Sequence, residues 1–395
     1  METLLPYALD WVNLLLRWVH VIVAIAWIGA SFYFVWLDNS LVKPQANDLI
    51  AKGVSGELWA VHGGGFYNPQ KYMSPPSQMP EHLHWFYWES YSTWLTGFAL
   101  FMVLYLFNAS TFLIDRNVYD MTPMVAVTVA LAFLVVGWLV YDTICRALGK
   151  AEDGDLKVSI LVLLYVALAT WLACHLFSGR AAFLLIGAMI ATIMSANVFF
   201  WIIPGQRKVM AQLKDGQTPD PVHGLRAKQR SVHNTYFTLP VLFTMISNHY
   251  SMTYLHPNNW AVLLLIMLAS VLIRQFFILK HKGVWNWWYP AAGVALLLVV
   301  AVWIAPPPRS ASATATAVVL ADVRPIIERR CVMCHNAQLA NKNIRLDSAD
   351  AIRTNAPLVY QQAVLARTMP LNNATGMLDD ERAALARWIN AGAQP

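Results

Sequence analysis

The sequence predicts an all-α protein, a polytopic membrane bundle of about eight transmembrane helices followed by a small soluble helical domain. Three observations predict it. Hydrophobic residues make up 57% of the 395 and charged residues 13%, against about 25% charged in average soluble domains. Apolar runs of about 20 residues, enough to cross roughly 30 Å of hydrocarbon as a helix, recur along most of the chain. After about residue 320 these runs stop, and short amphipathic patterns replace them.

The spans are expected at approximately residues 11–37, 85–107, 122–143, 157–177, 181–203, 233–250, 260–280 and 287–305, the sixth only just long enough. Met1 to Asp10 holds Glu2 and Asp10 but no Lys or Arg, so the first run reads as a span and not as a signal peptide. Loops one, three, five and seven carry Lys43, Lys52, Lys71; Arg146, Lys150, Lys157; Arg207, Lys208, Lys214, Arg226, Lys228, Arg230; and Arg274, Lys280, Lys282. Loops two, four and six carry only Arg116 and Arg180. By the positive-inside rule the odd loops are cytoplasmic and both termini lie outside. The net charge of +6 therefore records topology, and nucleic acid is not an expected partner. Cys145 and Cys174 lie in apolar or membrane-edge sequence and suggest no disulfide framework.

The expected organisation is a membrane domain over 1–305, a tether over 306–320 and a soluble domain over 321–395. Pro306-Pro307-Pro308 stiffens the tether's start, and its Ser/Ala/Thr run has no apolar periodicity to pack. In the soluble domain, Val323, Ile326 and Ile327 stripe the first helix, and Leu385, Trp388 and Ile389 stripe a last helix from Asp379 to Asn390. Between them stands Cys331-Val332-Met333-Cys334-His335. Both thiols on one turn reach the two vinyl groups of a porphyrin and the next imidazole reaches its iron, so the motif is an attachment signature for covalent haem c. Met369, in Thr368-Met369-Pro370, is the expected ligand opposite His335, and Met377 is the alternative. Haem attachment takes place in an exported compartment, in agreement with outward termini.

Ionisable groups are costly in a bilayer, so those within spans usually mark function. Asn13, Arg17, His20, Ala24 and Ser31 form one polar or small stripe on the first span. His20, His175 and His249 are expected in the outer halves of spans one, four and six. Two of them could clamp a second, non-covalent b-type haem, with Arg17 and Arg180 near its propionates. Alternatively, each is an ordinary hydrogen-bonded bundle or interface residue.

On the cytoplasmic side, loop one is long and runs Glu57-Leu58-Trp59-Ala60-Val61-His62-Gly63-Gly64-Gly65-Phe66-Tyr67, then Glu81-His82-Leu83-His84, with Glu89 just inside span two. Across the bundle, span six begins Ser231-Val232-His233-Asn234. Consecutive glycines allow close backbone approach to a ligand, and histidines occur there with carboxylates, so a substrate pocket is expected.

Trp18-Val19-His20 through Trp27-Ile28-Gly29, Val61 to Tyr67, His84-Trp85-Phe86 with Glu89, Asn197 to Pro204, and Ser231-Val232-His233-Asn234 through Ser247-Asn248-His249 together resemble the membrane-bound bacterial urate oxidase (urate hydroxylase) family. The likeness covers essentially the whole chain, because that family joins such a membrane region to a cytochrome c domain. It implies an oxidoreductase of purine degradation that converts urate to 5-hydroxyisourate, and with the topology above it is expected in the bacterial inner membrane with both termini and the cytochrome domain periplasmic. Electrons would leave through haem c to a soluble cytochrome or a terminal oxidase. A planar anion suits a pocket of His, Arg, Asn and aromatics, with His62 or His233 as base and Glu57 or Glu89 orienting it. Two other classes fit the same residues: a quinol- or porphyrinogen-oxidising haem membrane protein, and a non-enzymatic membrane-tethered cytochrome.

Overall fold

The computed structural model describes residues 4–76, 80–149, 154–305, 318–365 and 367–395. Lys150 and the Pro306–Thr316 stretch of the tether lie outside the described residues, whereas Leu320 already opens a helix.

The first helix, α1, runs Leu4–Ser40. Loop one departs from the all-helical expectation. After the short α2 (Asn47–Ala51) come β1 (Val54–Glu57) and β4 (Gln70–Tyr72), antiparallel with Glu57 opposite Gln70, and between them β2 (Ala60–His62) and β3 (Gly65–Tyr67), with His62 opposite Gly65. Gly63 and Gly64 turn this hairpin at φ 59° and 78°, the left-handed backbone that a two-residue hairpin needs. Lys71 ties the ribbon to the end of α1 through Asp38 at 2.7 Å.

Next come α3 (Trp88–Phe101), extended by a π-helical turn over Met102–Leu106, α4 (Ala109–Phe112), α5 (Pro123–Leu148), α6 (Gly154–Leu176) and α7 (Gly179–Asn197). A second π turn over Val198–Ile202 leads into α8 (Ile203–Lys214), followed by α9 (Pro221–Ile246), α10 (Ser251–Tyr254), α11 (Asn259–His281) and α12 (Trp288–Trp303). Local chemistry sets the starts. Thr122, Ser178 and Asp220 accept from the N–H groups of Val125, Ala181 and Val222, and Pro123 and Pro221 occupy first-turn positions where no donor is needed.

Each expected span coincides with helix. Five helical stretches among the described residues are long and apolar enough to cross a membrane: Tyr7–Ser40, Pro123–Leu148, Gly154–Leu176, Gly179–Lys214 and Asn259–His281. α9 falls short in hydropathy because its first third is polar, and α12 is shorter than the others. The bundle is built around α7, whose Ala181, Phe183, Leu185, Ile186, Met189, Ile190 and Ile193 are all buried. A side chain at Gly187 would collide with Thr244, so this glycine lets α7 and α9 approach closely. Arg230 and Arg274, expected in loops five and seven, are instead buried within α9 and α11. A rule that counts every Lys and Arg near a span end does not distinguish loop charges from charges carried into the bundle.

The C-terminal domain comprises α13 (Leu320–Arg330), α14 (Ala349–Thr354), α15 (Ala356–Val359) and α16 (Asp379–Asn390) around a core of Val323, Ile327, Leu346, Ile352, Met377, Leu385 and Trp388. Trp388 is fully buried and donates its indole N–H to the Gln394 carbonyl at 2.7 Å. The Leu371–Asn373 turn lies against α4.

Candidate active site

The most developed polar cluster lies where α5, α7 and α9 meet, at the basic-loop end of the bundle. Tyr141 and Asp142 come from the last two turns of α5, Asn197 from the end of α7, Trp201 from the π turn, and Arg230, His233 and Asn234 from α9. Single π turns within α-helices recur at functional sites because they re-aim side chains. This one sets the Trp201 ring 5.2 Å from the Arg230 guanidinium and 5.7 Å from that of Arg226.

Tyr141 is the hub. Its oxygen accepts from Asn197 Nδ2 at 3.0 Å and lies 2.7 Å from His233 Nδ1. With the oxygen already accepting, the phenol proton points to Nδ1, which assigns the neutral imidazole proton to Nε2. Asn197 also donates to Asn234 Oδ1 at 3.0 Å, and Asn234 donates to the Met194 carbonyl. Arg230 lies over the Tyr141 ring at 5.0 Å and donates to Asp142 Oδ1 at 2.8 Å, and Arg146 approaches the other Asp142 oxygen at 3.7 Å. Tyr141, Asn197 and Arg230 are at most 2% exposed. Asn197 Oδ1, Arg230 Nη1 and Trp201 Nε1 are buried with no hydrogen-bond partner among the described residues. One acceptor and two donors of the cluster are therefore uncommitted. Beside them opens a cleft of about 530 Å³ lined by Thr143, Arg146, Ala147, Trp201 and Arg226. With Arg146, Arg226 and Arg230 against Asp142 and the nearby Asp155, the corner carries excess positive charge and suits a planar anion.

Of the expected catalytic residues, only His233 joins this cluster. His62 is exposed in the β2–β3 hairpin, Glu57 accepts from Asn68 Nδ2 at 2.9 Å within the ribbon, and Glu89 sits half-buried in the first turn of α3. No hydrogen bond joins either carboxylate to His62 or His233 among the described residues; the partner that orients His233 is the Tyr141 phenol. A second cleft of about 370 Å³ holds Glu81, His82, Trp85, Arg207 and Lys214.

At the opposite end, His20 Nδ1 lies 3.0 Å from Thr96 Oγ1, and the Thr96 hydroxyl donates to the Ser92 carbonyl at 2.7 Å. His20 Nδ1 is therefore the donor and Nε2 the free lone pair, and the ring packs on Gly97, where a side chain would meet it at 2.9 Å. His175 is exposed, bonded to the Trp171 carbonyl at 2.7 Å, and His249 is exposed in a 3₁₀ turn. The three histidines make no hydrogen bond or ring contact with one another among the described residues. Arg180 donates to Asn248 Oδ1 at 3.2 Å and lies over Phe112, and Arg17 bonds Asn13 at 2.8 Å.

In the C-terminal domain Cys331 to His335 form one helical turn, with the Cys334 and His335 N–H groups donating to the Cys331 carbonyl. His335 Nδ1 lies 3.1 Å from the Ile344 carbonyl, which makes Nδ1 the donor and frees Nε2 for a metal. Burial pushes the Cys331 thiol up to about 11. Met377 is 3% exposed and fills the core, whereas Met369 is 36% exposed on a loop whose carbonyl accepts from Arg382 at 2.8 Å. This donor set fits a covalently attached haem, with Met369 the more available sulfur.

No curated protein and no solved structure matches the chain. The family model described as Urate oxidase N-terminal matches residues 6–305, spanning the helical bundle and its ribbon loop, and the chain therefore belongs to the urate oxidase N-terminal family.

Proposed function

We propose that the chain oxidises urate to 5-hydroxyisourate at the α5–α7–α9 corner of a membrane-embedded bundle of eight spans with both termini outside. The observation that carries this is the buried Tyr141–His233–Asn197–Arg230 cluster beside an arginine-lined cleft, inside the region matched by the family model. The reaction adds water to C5 and releases two protons and two electrons: urate + H₂O → 5-hydroxyisourate + 2 H⁺ + 2 e⁻. Arg146 and Arg226 hold the anion's oxygen edge, and Trp201 lies against its face. A proton delivered to the Tyr141 oxygen releases the phenol proton to His233 Nδ1, so the pair acts as one proton acceptor. Cys331, Cys334, His335 and Met369 would hold a haem c, which when bound would supply a one-electron acceptor on the outer side, with a soluble cytochrome or a terminal oxidase as the onward partner.

An inner site and an outer haem leave the bundle's thickness for electrons to cross. His20, with its tautomer fixed by Thr96 and Nε2 free, is the residue we assign to a non-covalent haem between them. A pyridine haemochrome spectrum with c-type haem alone refutes that intermediate. For the active site, His233→Ala is expected to abolish urate turnover with haem c fully incorporated. Normal turnover in His233→Ala would overturn this site, and turnover of quinol but not urate would favour the quinol-oxidase class.

A further inference from the structure

We propose that Arg274 holds the phosphate of a phospholipid in the leaflet at the basic-loop end, seated in the seam between α1, α9 and α11. The site is separate from the urate site and does not depend on it.

Arg274 is 4% exposed and lies inside α11, seven residues before its last residue, His281, a depth of about 10 Å at 1.5 Å per residue. Its Nε and Nη2 atoms are buried without hydrogen-bond partners, and no Asp or Glu pairs with it among the described residues. Its flat face rests 4.1 Å above the Phe32 ring of α1, and Tyr236 of α9 is an electrostatic neighbour whose hydroxyl is taken up by Gln275. A cation–π contact offsets part of the charge but satisfies no N–H.

A guanidinium out of water with no anion nearby costs several kcal/mol, so such a group in a membrane protein points to a partner. A neutral carbonyl would satisfy the hydrogen bonds and leave the charge. An anion satisfies both.

The surroundings specify the source. α1 presents Trp18, Val21, Ile22 and Ile25 outward, so its outer face meets acyl chains. Lys280, less than two turns beyond Arg274, lies 4.8 Å over Trp285, and Trp285 and Trp287, past the end of α11, pack back against Phe276, the lysine-and-tryptophan girdle that marks headgroup level. Arginine side chains reach from hydrocarbon towards that level. A soluble anion would have to pass this girdle; a phospholipid approaches along the seam with its chains already in place.

The test uses the full-length, haem-loaded protein in detergent, with native mass spectrometry for retained phospholipid and melting temperature with phosphatidylglycerol or inorganic phosphate added. The expected result is a retained phospholipid and a melting temperature raised by phosphatidylglycerol and not by inorganic phosphate, both lost in Arg274→Gln. An equal, Arg274-dependent rise with inorganic phosphate overturns the lipid assignment. If Arg274 has no ligand, Arg274→Gln removes an uncompensated buried charge, so unchanged lipid retention with a raised melting temperature also overturns it. Should Arg274→Gln fail to accumulate, Arg274→Lys and delipidated wild type carry the test: neither regaining stability on lipid re-addition refutes the site.

Discussion

Replacing Tyr141 by phenylalanine removes one oxygen from a fully buried position and leaves ring volume unchanged, so its effect reports the hydrogen-bond hub alone. That oxygen accepts from Asn197 at 3.0 Å and donates to His233 Nδ1 at 2.7 Å. Two lost bonds at about 1 kcal/mol each, plus the desolvation of an Nδ1 left with only the Cys145 thiol 4.0 Å away, give a destabilisation of about 2–4 kcal/mol. Asn197 keeps Asn234 as a partner, which places the loss towards the lower end. If the phenol also relays the substrate proton, turnover falls by about 10²-fold or more. Thermal unfolding of the detergent-solubilised protein measures the first effect, and the initial rate of urate-dependent haem c reduction measures the second. Wild-type melting together with a wild-type rate would refute both the hub and the relay.

Asp142→Ala leaves Arg230 buried without its carboxylate and is expected to cost about 3–5 kcal/mol in chemical denaturation, with Asp142→Leu/Arg230→Met recovering much of that loss. Met369→Ala should lower the haem reduction potential, whereas Met377→Ala, emptying a core position, should cost about 2–5 kcal/mol of domain stability with the potential retained; potentiometry and unfolding separate them. Burial pushes the Glu381 carboxyl up, but the Leu378 N–H and the Arg330 guanidinium outweigh it and hold the group below the usual carboxylate range. A depressed folded-state pKa stabilises fully above the ordinary Glu value of about 4.3 and less as pH falls through the folded value. Acid unfolding of the C-terminal domain, followed by its haem absorbance, should therefore flatten in Glu381→Gln.

Most of the helices were legible because their apolar runs are long and uninterrupted, and the Cys331–His335 turn because its spacing is the one that a covalent haem would require. The hairpin signal was also present, since Gly63-Gly64 flanked by Val61-His62 and Phe66-Tyr67 is the composition of a two-residue turn, but the run is too short to give a clear two-residue period. Asp142 could have been found by the argument applied to His20, an ionisable residue inside an apolar span. Asn197 opens a segment that carries the family resemblance, but neither its role nor that of Tyr141 could be read, because a tyrosine or asparagine in a span looks the same whether it lines a site or caps a neighbour. Only tertiary packing, with α7 brought close to α9 at Gly187, turns Asn197, Tyr141 and His233 into one network. His62 and Glu57 looked equivalent to His233 by composition, and the ribbon places them elsewhere.

The central claim is that urate gives its electrons to the covalent haem of the same chain. Anaerobic addition of urate to the oxidised full-length protein, followed at the haem c absorption band, tests it directly. The account predicts reduction of the haem with 5-hydroxyisourate formed at one molecule per two electrons transferred. A haem that stays oxidised with urate, yet reduces readily with a chemical reductant, would contradict it.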